Sequence, residues 1–286
     1  MVQESENGVK LRIFQSGYCL SDGHVVNPKA RRGKVCFYAT WLLIQHPVHG
    51  NILFDTGYTD RFHSATRKMP YTLYAWVTPV VVHKEETAIE QLKQIGLSAK
   101  DIDTIILSHF HADHIGGVKD FPFSQFICSR KSMEEAIAKK GWSAVKKGIL
   151  PDLLPDNFVS KSKALEELAQ QEIDHPSGLV MYDLFNDGTL KLIELPGHAR
   201  GMLGIRVEHT DGITVFASDA YWSLDTFQQR ILPRQRVKLF FDSWRDYVDS
   251  SEKLYRYHKN HPEEQLLFTH CPQTMNFITG RSAKIN

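Results

Sequence analysis

The chain has 286 residues, of which 42% are hydrophobic, 23% charged and 11% aromatic, the balance of an ordinary globular protein rather than a disordered, collagenous or low-complexity one. Its 34 Lys and Arg against 33 Asp and Glu leave a formal charge of +1, which gives no electrostatic footprint for nucleic acid or an anionic membrane. The four cysteines, Cys19, Cys36, Cys128 and Cys271, form no CxxC pair, so a disulfide framework or zinc ribbon is not expected. The polar start MVQESENGVK has no secretory pattern, and no apolar run reaches the roughly 20 residues needed to cross a bilayer. The expectation is a cytoplasmic protein.

In chain order, Lys34 to Pro47 and Asn51 to Gly57 read as strands joined by a tight turn at Val48-His49-Gly50. Tyr71 to Val82 is apolar but too short to span a membrane and is broken by Pro79; it reads as a core or subunit-contact segment, with an apolar rim beside an active site as the alternative. Thr87 to Ile95 predicts a helix with a Thr87/Glu90 capping box and Gly96 as its stop. Asp103 to Leu107 is a buried strand. From about Asp120 to Asp187 the texture changes. A helix is expected over Ser132 to Lys147, capped by Ser132/Glu135, and a polar helix over Lys163 to Glu172, so 120–187 reads as a helical insertion. Its basic residues, Lys139 and Lys146 among them, read as a solvated face. Strands resume at Leu190 to Leu195 and Ile213 to Ser218, Ser243 to Lys259 is the clearest amphipathic helix, and Gln265 to Thr269 is the last strand. Short apolar runs alternating with helices indicate an α/β chain.

Fourteen histidines are many for this length. SHFHADHIGG places His109, His111, Asp113 and His114 within six residues, directly after a buried strand. Imidazole and carboxylate suit zinc and its first-row neighbours. His109 and His111 alternate on an extended loop and can grip one ion; Asp113 and His114, on the turn into a helix, can face a second. Gly116 and Gly117 allow a tight fold behind them. One loop cannot complete two sites, and three more ligand-type residues stand just past strands: His198 in ELPGHARG, Asp219 in TVFASDAYW and His270 in LLFTHCP. Strand C-termini are where open α/β sheets gather their sites. The other nine histidines lack this context and read as turn or surface residues.

These residues resemble the metallo-β-lactamase fold superfamily of hydrolases, whose HxHxDH motif stands here as His109, His111, Asp113 and His114. The layout is most similar to the N-acyl homoserine lactone lactonases. The resemblance implies one domain over the whole chain, a four-layer αββα sandwich. It implies one metal held by His109, His111 and His198 and another by Asp113, His114 and His270, with Asp219 between them. FDTG implies that Asp55 orients a ligand histidine. The chain departs from the lactonase pattern at Trp222, where a tyrosine usually stands, at Ala199 and Arg200 in the turn after His198, and at Cys271. Tyr221, one residue early, is the nearest candidate for a donor to the substrate carbonyl, with packing as its alternative.

The cofactor expected is a pair of divalent ions, zinc first, with iron, manganese or cobalt using the same ligands. Two such ions about 3.5–4 Å apart share a water and lower its pKa toward about 7. The implied activity is hydrolysis of an ester or lactone by that bridging hydroxide, with Asp113 passing the proton to the leaving group. The partner is a small-molecule substrate, with no nucleic acid and no membrane, and a homodimer is open. A thioester or phosphodiester hydrolase of the same fold and a metal-binding sensor without turnover are the competing classes.

Overall fold

Period-two alternation sorts the apolar residues of each strand between two faces. In the computed structural model, which describes residues 8–29 and 32–278, Leu42, Ile44, Ile52, Phe54 and Ile106 point into one core while Trp41, Leu43, Leu53 and Ile105 point into another. A strand that is apolar on both faces must be covered on both, and the chain meets that demand with two sheets packed face to face and helices outside each.

The first sheet contains β1 (Lys10–Asp22), β2 (Lys34–His46), β3 (Gly50–Phe54), β4 (Val80–Val81), β5 (Ile102–Ile106), β6 (Gln125–Cys128) and β7 (Ser162–Ala164), in the order β4-β1-β2-β3-β5-β6-β7. The second contains β8 (Gln171–Asp174), β9 (Leu179–Asp183), β10 (Leu190–Glu194), β11 (Leu203–His209), β12 (Gly212–Phe216) and β13 (Gln265–Leu267), in the order β13-β12-β11-β10-β9-β8. Both sheets are mixed: β3-β5-β6-β7 and β12-β13 pair in parallel, and the remaining neighbours antiparallel. Leu42, Phe54, Leu192, Ile205 and Phe216 meet in the inter-sheet core. Helices Ala88–Gln94 and Arg130–Ala138 cover the outer face of the first sheet through Leu92 and Ala136. Helix Trp244–Asn260 covers the second through Leu254 and Tyr257. This is the expected four-layer αββα sandwich.

Several local expectations are corrected. The stretch 120–187 is not a helical insertion: β6 and β7 extend the first sheet, β8 and β9 the second, and its helices lie between 130 and 168. These strands are three to five residues long, too short to display a period. The helix expected over Ser132 to Lys147 is interrupted after Ala138, where Gly141 takes φ +55°, and its cap is Ser129, which accepts from Ser132 N. The polar helix expected over Lys163 to Glu172 is β7, a single turn at Leu165–Leu168, and β8. Thr87 and Glu90 form no capping box: Thr87 Oγ1 donates to Lys84 O and Glu90 pairs with Lys93. The β2–β3 turn forms as expected, with Gly50 at φ +74°. The sequence reading missed β1, whose centre, Gln15-Ser16-Gly17, breaks the apolar pattern at a bulge.

Candidate dinuclear metal site

The parallel strand β5 delivers the histidine loop to the end of the first sheet, and its first contact is with Asp55, just past β3. Asp55 is fully buried in the left-handed backbone region, at φ +63°. Its carboxylate accepts from Ser108 N at 2.8 Å, Ser108 Oγ at 2.8 Å and His114 Nδ1 at 2.7 Å. Ser108 Oγ, having donated to Asp55, accepts from His109 Nδ1 at 3.0 Å. One carboxylate therefore reaches two histidines, His114 directly and His109 through Ser108. Gly116 lies so close to the Asp55 loop that a Cβ there would stand 2.5 Å from Gly57 O.

The other candidates arrive from the second sheet. His198 follows Pro196-Gly197, where Gly197 has φ +129° and a Cβ would meet Tyr247 N at 2.0 Å, so only glycine permits this approach. Asp219 follows β12 behind Ser218, a non-glycine residue at φ +48°. His270 follows β13, and Thr269 N donates to Ser218 O at 3.2 Å, tying the two loops together.

All seven predicted ligand residues converge. One group is His109, His111, His198 and Asp219, the other Asp113, His114, Asp219 and His270; within each, the ligand atoms lie within 4.8 Å of one another, and Asp219 belongs to both. His111 Nδ1 stands 3.0 Å from both His109 Nε2 and His198 Nε2. Asp219 Oδ2 is 3.2 Å from His198 Nε2 and 3.0 Å from His270 Nε2, and Asp113 Oδ2 is 3.5 Å from the Nε2 atoms of His114 and His270.

Hydrogen bonds behind the rings dictate which nitrogen faces inward. His111 Nε2 donates to Lys147 O at 3.1 Å and His270 Nδ1 to Tyr38 O at 2.8 Å, which leaves His111 Nδ1 and His270 Nε2 as lone pairs directed at the clusters. His114 Nε2 and Asp219 Oδ1 are buried without a hydrogen-bond partner. A polar group buried and unpaired is costly, and converging unpaired lone pairs from nitrogen and carboxylate oxygen are the donor set of a divalent ion. The residues present fit a metal pair. No sulfur joins either group among the described residues: Cys271 Sγ accepts from Leu224 N at 3.2 Å and donates to Gln273.

The electrostatics divide along the same line. Burial and neighbouring imidazoles hold His109 well below its usual pKa; burial also depresses His198, to about 3. Burial lowers His111 too, so all three imidazoles of that group are held toward the neutral form that ligates. In the second group, burial opposes charge, but Asp113, Asp55 and Asp219 raise His114 well above its usual value. Burial works against ionisation of Asp113 as well, yet His114 and His270 lower it to about 2. Three carboxylates facing one imidazole make a field that a cation satisfies.

The clusters form the floor of a cleft of about 570 Å³, within the usual range for small-molecule sites. Its walls are mainly apolar, including Val25, Phe37, Leu73, Val77, Trp142 and Phe241. The Tyr71–Val82 segment thus lines the cleft through helix Thr72–Val77, the rim alternative. Tyr221 is not brought to the cleft. The chain is extended there, at φ −148° and ψ 163°, so neighbouring side chains face opposite ways. Tyr221 packs on Phe227 and Phe268, while Trp222 borders the cleft against Phe37 and His198. Sequence reasoning missed Tyr58, which borders the cleft beside Tyr74 of the Tyr71–Val82 segment; burial and the charge of Asp113 push both phenols well above their usual pKa. Only the DTGY run adjoining Asp55 hinted at Tyr58.

The family model described as the metallo-beta-lactamase superfamily matches residues 35–257. The chain belongs to that superfamily. The N-acyl homoserine lactonase AttM of Agrobacterium fabrum is 28% identical over 260 residues, covering 88% of this chain and 90% of its own. The N-acyl homoserine lactonase AiiA of Bacillus thuringiensis subsp. kurstaki is 25% identical over 226 residues, covering 78% and 80%. A crystal structure of a Bacillus thuringiensis AiiA mutant with N-decanoyl-L-homoserine bound superposes with a TM-score of 0.70 at 21% identity, over 97% of this chain and all of that one. No helix among the described residues is long and apolar enough to cross a membrane.

Proposed function

We propose that this chain is a dinuclear-metal hydrolase that opens the ring of an N-acylated lactone, N-acyl homoserine lactones being the first class to test. The observation that carries this reading is the pair of His/Asp groups sharing Asp219 at the floor of an apolar cleft. Matches to two N-acyl homoserine lactonases along most of the chain support the substrate class. Ligands contributed by both sheets support reading the chain as one catalytic unit. The four free cysteines support a reducing, cytoplasmic setting.

His109, His111 and His198 would hold one ion and Asp113, His114 and His270 the other, with Asp219 offering an oxygen to each; zinc is the pair proposed. When bound, such a pair polarises a carbonyl and makes a water nucleophilic at neutral pH. The rest of the work falls to the chain. Asp113, bordering the cleft with its carboxyl ionised, accepts the proton of the attacking water and returns it to the ring oxygen as the C–O bond breaks, leaving a hydroxy acid. Asp55 keeps His114 and His109 in the tautomers and orientations described above. Phe37, Leu73, Val77 and Trp142 hold the acyl chain and exclude water from it.

The test is a panel of an acyl homoserine lactone, a simple ester, a thioester and a phosphodiester, read by acid release from the zinc-reconstituted protein. Lactone turnover is expected to dominate, and Asp219→Ala is expected to lose metal and turnover together while remaining folded. Turnover of none of these by metal-replete protein would reject the hydrolase; preference for the thioester or phosphodiester would reject the substrate class. Asp219→Ala with full metal and activity would reject the ligand assignment.

A further inference from the structure

The whole-chain charge conceals a strong local asymmetry. Three of the segments that line the cleft are 66–82, through Leu73, Tyr74, Val77 and Thr78, 139–147, through Trp142, Val145 and Lys146, and 234–241, through Val237, Phe240 and Phe241; a fourth, 19–25, carries the exposed Asp22. The first three together carry nine lysines and arginines and no Asp or Glu, which leaves 25 cations against 33 carboxylates in the rest of the chain. Lys147 is paired with Asp242, and Arg234 is bonded to His24. Arg67, Lys68, Lys140, Lys146 and Arg236 are exposed and have no carboxylate within salt-bridge distance among the described residues.

The same segments expose large apolar side chains. Trp76 is 78% exposed, Leu239 85%, Phe240 63%, Trp142 58% and Val77 57%. Val77, Trp142, Lys146 and Phe240 are neighbours in space, bordering one cleft; Trp76 and Leu239 stand next to Val77 and Phe240 in the chain, and Gly141 N donates to Tyr71 Oη at 2.8 Å across two of the segments. An apolar patch of this kind is seldom left uncovered. A second copy seated on it about a two-fold axis would set cations against cations, because such an interface places the same patch on both sides. Exposed aromatic and aliphatic side chains on segments that also carry unpaired cations instead match an anionic lipid surface: headgroups take the charges, and the acyl boundary takes the apolar side chains. The excess of carboxylates elsewhere is repelled by that surface and turns the cleft mouth toward it.

We propose that the cleft mouth is a docking surface for anionic lipid bilayers, through which the protein draws amphiphilic substrates directly from the membrane into the apolar cleft. Docking stands on charge and exposure alone and holds whichever ester is cleaved. The experiment is co-sedimentation of the metal-loaded full chain with phosphatidylcholine vesicles, with and without phosphatidylglycerol. Binding is expected to the anionic vesicles, weakening as salt is raised. Removing three cations together, Arg67→Gln, Lys68→Gln and Arg236→Gln, is expected to lower partitioning by about 100-fold. Trp76→Ser with Leu239→Ser, at two highly exposed positions outside the cleft lining, is expected to weaken binding as well. Both variants should turn over a water-soluble short-chain lactone at the unaltered rate. Wild-type protein that stays in solution with anionic vesicles at low salt overturns the proposal, as do variants that bind as well as wild type. A dimer in light scattering that Trp76→Ser with Leu239→Ser converts to monomer overturns it too, by making the patch a subunit contact. Sedimentation requires no turnover, so vesicle binding by a protein inactive on lactones would reject the functional reading and keep this one.

Discussion

Asp55→Asn separates the role of a carboxylate behind the metal site from that of the ligands themselves. Asparagine tolerates the left-handed backbone that Asp55 adopts at φ +63°, so the turn is not strained. Its oxygen can still accept from Ser108 N, now at 2.8 Å from Asp55 Oδ1. Its amide nitrogen then faces His114 Nδ1, where the carboxylate accepts at 2.7 Å. A donor facing a donor drives the imidazole proton to Nε2, the atom that lies buried and unpaired among Asp113 and Asp219. A protonated Nε2 cannot ligate. Losing an outer partner of this kind lowers metal affinity about 10–100-fold, and the loss should be larger at the Asp113/His114/His270 ion, which Asp55 reaches directly through His114, than at the His109/His111/His198 ion, which it reaches only through Ser108 Oγ. The lost charge-assisted hydrogen bond should also destabilise the metal-free protein by about 1.5–3 kcal/mol. Chelator titration with elemental analysis reads the first effect, and urea unfolding of metal-free protein the second. If Asp55→Asn keeps both ions at wild-type affinity, the tautomer argument is wrong.

Two further expectations use other parts of the molecule. Tyr221→Phe should change turnover less than about twofold, since its ring is packed on Phe227 and Phe268 away from the cleft; a loss of 100-fold or so in kcat would restore it as a carbonyl donor. His46, whose Nδ1 accepts from Val48 N and His49 N, has its pKa lowered by burial. The unfolded chain therefore binds that proton more readily, so His46's contribution to stability is full above about pH 6.5 and is lost as the pH falls below it. His46→Gln should flatten the decline in unfolding free energy between about pH 7 and about pH 5 relative to wild type; an unaltered slope would show that other groups set it.

The chemistry of the site was legible because ligation depends on residue type in a local pattern. His109, His111, Asp113 and His114 announce themselves within one loop, and His198, Asp219 and His270 each follow an apolar strand, so their convergence could be expected once the sheets were. The long elements, β2 with its continuous apolar run and helix Trp244–Asn260 with its one-sided apolar stripe, were equally readable. The short strands of 120–187 were not, because three to five residues carry no period and their pairing depends on partners far along the chain.

What the sequence determined by itself is the donor set, since the affinity of imidazole and carboxylate for divalent ions belongs to the side chains. Tertiary structure alone decided that Trp222 rather than Tyr221 borders the cleft, that Tyr58 and Tyr74 join it, and that three segments carrying nine cations meet at it in a chain of charge +1. Those outcomes turn on which way an extended backbone presents a side chain and on residues as far apart in the chain as Tyr58 and His270 becoming neighbours, and neither quantity is local.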